Sequence, residues 1–179
     1  MSLRRRLLAT ATAATVLAIS STVAAAADPA DSTEATLTVT GGTLDITVDT
    51  TRRNLGTTVG TGKGSTLSGQ LGRVVVTDRR GAPEGSSWVA SVSSTPFTTE
   101  GGPAIPASHV AYTAGRIAKQ GTATYTANDP DHLQRPTPAV TATDVSGNNT
   151  AAWTPTLSVS IPGGVTAGTY TATITHSVL

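Results

Sequence analysis

Cysteine is absent from the 179-residue chain. That excludes disulfides, thiolate metal sites and a cysteine nucleophile. Aromatic residues are few: Trp88, Phe97, Tyr112, Tyr125, Trp153 and Tyr170. A core must therefore be built mainly from Val, Leu, Ile, Ala and the methyl groups of Thr, around a handful of large rings. Charge is sparse as well, with 12 basic and 11 acidic residues. Long apolar runs are lacking outside the first 27 residues.

Those first residues have a recognisable order. Arg4, Arg5 and Arg6 form a basic start, residues 7–23 are uncharged and largely apolar, and residues 24–27 are all alanine. A basic, then apolar, then small-residue order marks a secretory signal. The apolar part is short and diluted by Thr and Ser, whereas a permanent membrane span needs about 20 apolar residues. Ala25 and Ala27 suit an A-x-A site, so cleavage is expected after Ala27 and the mature chain should start at Asp28. Loss of the three signal arginines leaves 9 basic against 11 acidic residues, a formal charge of −2. Nucleic-acid binding needs clustered Lys and Arg, and a mildly acidic chain offers no such footprint. No polybasic membrane patch or anchoring tail is expected either. The expected location is secreted and extracellular.

The 152 residues that remain suit one domain. Residues 28–34 are polar and read as a flexible lead, and residues 35–179 as a single domain. Alternation of period two dominates that domain. Leu37 and Val39 alternate with Thr, as do Leu44, Ile46 and Val48 with Asp45, Thr47 and Asp49. Gly41-Gly42 between these runs suits a hairpin turn with positive φ. Val74, Val75 and Val76 form a continuous apolar run, expected for a strand covered on both faces. Trp88, Ala90 and Val92 share one strand face, and Leu157, Val159 and Ile161 share another. Short strands are also expected at residues 109–113, 122–126 and 139–143. In the last run Tyr170, Ala172, Ile174, His176 and Val178 oppose five Thr and Ser residues. That is the pattern of a half-buried antiparallel strand, and it predicts an inward, largely neutral His176 near pH 7. Residues 50–70 read as loop with at most one edge strand. Gly and Pro at 81–83, 101–103, 130, 147 and 162–164 punctuate the chain too often for long helices. Many short strands with frequent turn residues predict an all-β fold, an antiparallel β-sandwich of immunoglobulin-like general architecture.

Chemical motifs are weak. Residues 56–64 have glycines and Lys63 in a loose phosphate-loop order, but Gly64 follows where Ser or Thr should hold magnesium. The cluster Asn128, Asp129, Asp131 and His132 has too few acids at alternate positions for a calcium loop and reads as a turn. His109, His132 and His176 share no zinc-ligand spacing. No G-x-S-x-G elbow occurs. Asp45 and Asp49 read as acids on the solvent face of a strand rather than a glycosidase pair. No catalytic set, cofactor or metal is expected.

Three segments together resemble the WxL domain of Gram-positive surface proteins: QLGRVVVTDRRG at 70–81, WVASVSSTPF at 88–97 and YTATIT at 170–175. The stretch SGNNTAAWTPTL at 146–157, running into IPGG at 161–164 and GTY at 168–170, is similar to WxL-like secreted proteins of actinobacteria. The resemblance implies a β-sandwich that attaches noncovalently to the cell wall, through peptidoglycan, often beside other surface proteins. Where the family has Trp-x-Leu, this chain reads Trp88-Val89-Ala90, and the second tryptophan position holds His176. Trp88, Trp153, Tyr170 and His176 are thus candidate wall-binding residues. The competing reading of these rings is core packing, since large rings dominate buried area. The expected function is a non-catalytic surface module bound to peptidoglycan. The alternative is a structural or adhesive envelope subunit whose partner is another surface protein.

Overall fold

A computed structural model of the chain describes residues 36–59 and 62–179. The expected signal peptide, its cleavage site and the lead at 28–34 lie outside the described residues. Residues Val39–Leu179 form one compact unit.

The unit is an antiparallel β-sandwich with no α-helix among the described residues. Its strands are β1 (Leu44–Val48), β2 (Ser65–Gln70), β3 (Val74–Ser94), β4 (Val110–Thr113), β5 (Ala118–Ala127), β6 (Thr137–Trp153), β7 (Thr156–Ile161) and β8 (Ile174–Val178). A single 3-10 turn at Ala107–His109 precedes β4. The larger sheet has the order β1-β3-β6-β5, with β8 paired to the far half of β3. The smaller sheet has the order β2-β7-β4.

The sheets form where period-two patterning puts apolar side chains on one face. In β3, Val74, Val76, Trp88, Ala90 and Val92 are buried while their neighbours are partly or fully exposed. They meet Val140, Ala142, Ala151 and Trp153 across the β3–β6 ladder, where Val74 is opposite Trp153 and Trp88 opposite Ala142. The smaller sheet contributes Val110, Tyr112, Leu157 and Val159 to the same core. Burial of each such aliphatic side chain stabilises the fold by about 1.5–3 kcal/mol before chain entropy is counted.

Five local expectations change. The continuous run Val74, Val75, Val76 is not covered on both faces: Val74 and Val76 are inside and Val75 is only half-buried. Residues 36–40 form no strand, and Leu37 and Val39 are exposed. Among the described residues no strand pairs with them, and the β1–β3 ladder starts at Leu44 opposite Asp78. Gly41 and Gly42 make no positive-φ hairpin turn. They lie flush against β3: the Gly42 N–H donates to the Arg79 carbonyl at 2.8 Å, and a Cβ on Gly42 would sit 2.7 Å from that same oxygen. The last strand is also shorter than its alternation implies. Thr171 makes only an isolated bridge to Thr98, and regular pairing starts at Ile174.

The fifth change positions the site. Residues 81–83 and 146–149 do not end strands. β3 and β6 run through them as single elements, and Gly81, Gly85 and Gly147 take positive φ within the strands. Register shifts fall there in the β3–β6 ladder, and the β5–β6 ladder shifts at Gln120–Thr124. Glycine in a left-handed conformation is how a strand absorbs an extra residue as a bulge. A row of irregularities thus crosses three neighbouring strands of the larger sheet.

Candidate functional site

Beside that row the core turns polar. Asp78 and Asn149 face each other across β3 and β6, at the inward parity of Val74, Val76, Ala151 and Trp153. Both are buried, Asp78 completely. Asp78 is the one buried acid among the described residues, and its hydrogen-bonding capacity is well used. Its Oδ1 accepts from the Arg80 backbone N–H at 3.0 Å and from Arg80 Nε at 2.9 Å. Its Oδ2 accepts from Arg80 Nη2 at 2.8 Å and from Asn149 Nδ2 at 3.3 Å. Hydrogen bonds from the Arg80 side chain hold the Asp78 carboxyl below its usual range, against the opposing effect of burial. The same contact raises the Arg80 guanidinium.

Asn149 carries the network inward. Its Oδ1 accepts from Trp88 Nε1 and from the Tyr125 hydroxyl, each at 3.1 Å. The Trp88 and Tyr125 rings pack tilted, with centroids 5.6 Å apart. Burial, with the nearby Asp78 charge, raises the Tyr125 phenol. The indole N–H of a buried tryptophan must find an acceptor, and Asn149 supplies it.

A second polar group joins the two sheets. The Trp153 Nε1–H donates to the Tyr112 hydroxyl at 2.8 Å, and that hydroxyl lies 3.1 Å from His176 Nε2. Since the phenol oxygen already accepts from Trp153, its own hydrogen can serve Nε2 of a neutral imidazole. Burial lowers the His176 pKa to about 4 and pushes the Tyr112 phenol well above its usual range. His176 Nδ1 is buried and has no hydrogen-bond partner.

The candidate wall-binding residues are therefore dispersed. Trp88 is 1% exposed and Trp153 2%. Both rings lie within the hydrophobic core cluster, as the packing reading of them expects. His176 is drawn into the group with Trp153 through Tyr112, and Trp88 belongs to the Asn149 group. Tyr170 stands apart, half-buried, its hydroxyl donating to the Thr166 carbonyl at 3.0 Å. The Asn128–His132 cluster is used structurally. Asp129 accepts from the Ala114 N–H at 2.8 Å, and His132 Nδ1 lies 2.6 Å from the Ser108 carbonyl. No group of three or more metal-ligating side chains occurs among the described residues.

What the surface does offer is a polar groove. It has a volume of about 280 Å³ and lies where the bulges cross the sheet. Thr77, Thr150 and Gln120 form one row across β3, β6 and β5, on the face opposite Asp78 and Asn149. Arg79, Asn148, Gly121, Asp78 and Asn149 complete its lining. Asn148 is held by the Gly81 N–H, which donates to its Oδ1 at 3.1 Å. Gly121 has φ +81° and approaches so closely that a Cβ there would collide with the Asn148 carbonyl. The groove thus presents hydroxyls, amides and one guanidinium on a rigid sheet, with no acid and base placed to act together.

Asp78 and Asn149 are not singled out by the sequence reading, and Tyr112 and Tyr125 enter it only as rings for the core. For Asp78 and Asn149 a signal exists in the sequence: each sits two residues from a core residue at inward parity, where an apolar side chain is the norm. Tyr112 and Tyr125 carry no comparable signal, because their partners lie 41 and 24 residues away. The chain matches no known protein family and no curated protein.

Proposed function

We propose that this is an exported, non-catalytic surface module that associates noncovalently with peptidoglycan of the cell wall, as the resemblance to WxL domains implies. The contact surface in this reading is the polar groove on the larger sheet, not the tryptophan rings. The observation that carries it is the row Thr77, Thr150 and Gln120 beside Arg79, held on three hydrogen-bonded strands. Hydroxyl and amide groups suit a glycan, and a guanidinium suits the carboxylates of a peptide stem. The signal-like start supports export, and the mildly acidic composition of the remainder disfavours nucleic acid. The engagement of Asp78 by Arg80 and Asn149 supports a binding role over a catalytic one, since a carboxylate so held is neither basic nor accessible.

The test is pelleting of the purified protein with isolated peptidoglycan. The wild type should co-sediment, and the exposed double variant Arg79→Ala, Gln120→Ala should stay in solution with an unchanged melting temperature. A wild type that never pellets, at any salt concentration, rejects wall binding. The reading as a structural or adhesive subunit would then stand, favoured by the unpaired strand edge described next.

A further inference from the structure

Two segments carry strand patterning that is left unpaired among the described residues. The first is residues 36–40, where Thr alternates with Leu37 and Val39, which are 89% and 85% exposed. The second is the outer edge of β5, which is hydrogen-bonded to β6 on one side only. Beyond the irregularity at Gly121 this edge reads Thr-Ala-Thr-Tyr-Thr-Ala over residues 122–127. Thr122, Thr124 and Thr126 are exposed, while Ala123 and Tyr125 are half-buried at the border of the core. Edges are ordinarily guarded by charge, proline or a bulge. Lys119 and the bulge guard the first half of β5, but residues 122–127 contain no charge and no proline.

We propose that residues 36–40 of one molecule add to the 122–127 edge of a second copy as an extra β-strand. The two patterns are complementary. Pairing would satisfy the unpaired backbone groups of both segments. It would lay Leu37 and Val39 beside Ala123 and Tyr125, and extend the Thr rows on the other face. The molecule's own edge is out of reach. Gly41 packs beside β3 at the β1 margin, and β5 is the opposite margin of the sheet. The vacant position beyond β5 lies four strand spacings from β1, about 19 Å. Five extended residues span only about 17 Å and would also have to lie along the edge. Donor and acceptor surfaces differ, so the contact is heterologous and yields head-to-tail chains unless two molecules exchange segments. The inference does not depend on wall binding.

Sedimentation of the purified protein tests it, with variants at either surface. The wild type should associate as its concentration rises to about 100 μM. Leu37→Lys with Val39→Lys on the donor, or Thr124→Lys on the acceptor, should return it to monomer without changing its melting temperature, because all three side chains are exposed. The cysteine-free sequence permits a second readout. Mixed Val39→Cys and Ala123→Cys proteins should oxidise to a disulfide-linked heterodimer in excess of either homodimer. A monomeric wild type across that range overturns the proposal. So does association that survives both sets of lysines, or cross-linking confined to homodimers.

Discussion

The hydroxyl of Tyr112, on the smaller sheet, lies 3.1 Å from Nε2 of His176, on the short strand that closes one margin of the larger sheet. The imidazole is held neutral there by burial, with a pKa lowered to about 4. An unfolded histidine titrates near 6.5. The unfolded chain therefore binds a proton between those values that the folded chain does not, and stability falls as pH drops through the window.

The expected outcome is a loss of about 2 kcal/mol between pH 7 and pH 5, with stability fully present above pH 6.5. Thermal melts of the wild type and His176→Phe, compared at both pH values, check it. The variant should lose that slope. A wild type as stable at pH 5 as at pH 7 would mean that the ring is not enclosed as described.

A different acid window belongs to Asp78. Its carboxyl is held below the usual range by Arg80, so its contribution is present above about pH 4 and is lost as pH falls toward its lower folded value. Asp78→Asn removes this dependence and leaves Arg80 without its counter-charge. The expected cost at pH 7 is about 2–3 kcal/mol, less than for a fully buried pair because Arg80 is partly exposed. In a His176→Phe background, which removes the histidine's own pH dependence, urea melts at pH 7 and pH 3 should differ less with Asp78→Asn than without it.

Much of the sandwich is legible from alternation alone, because a strand with one buried face must write its apolar residues two apart. Leu157 and Val159 mark β7 and Leu44, Ile46 and Val48 mark β1 for that reason. The bulges were not legible. Gly81 and Gly147 look the same in sequence whether they reverse the chain or kink it, and only the long β3–β6 ladder decides. Residues 36–40 mislead in the opposite way: their pattern is that of a strand, but pairing depends on a neighbour, and none pairs with them among the described residues. The polar groups around Asn149 and Tyr112 depend on partners distant in the chain, which no local pattern encodes.

Gly121 and Gly147 separate two kinds of glycine requirement. Both have positive φ, +81° and +66°. A methyl group at Gly147 meets nothing within 4 Å, whereas at Gly121 it runs into the Asn148 carbonyl. Gly147→Ala should therefore cost only the backbone strain, about 1–2 kcal/mol. Gly121→Ala should cost clearly more and distort the groove. Melting temperatures rank the two, and equal losses would contradict the close approach of β5 to β6.

Trp88 is the residue on which the family resemblance and the structure pull apart. If its ring contacts the wall, shortening it should remove binding and spare the fold. The structure instead encloses the ring against Tyr125 and ties its N–H to Asn149. Trp88→Ala should then cost about 3–5 kcal/mol from the cavity, with the unmet acceptor adding to it. Pelleting alone does not tell that variant apart from a binding mutant, because an unfolded protein does not pellet specifically. Trp88→Phe resolves the matter. It keeps most of the ring volume and deletes the donor, so about 1–3 kcal/mol should be lost while the fold persists. Below its melting temperature Trp88→Phe should pellet with peptidoglycan as the wild type does, whereas Arg79→Ala with Gln120→Ala should not. A folded Trp88→Phe protein that no longer pellets would return the contact to the ring and remove it from the groove.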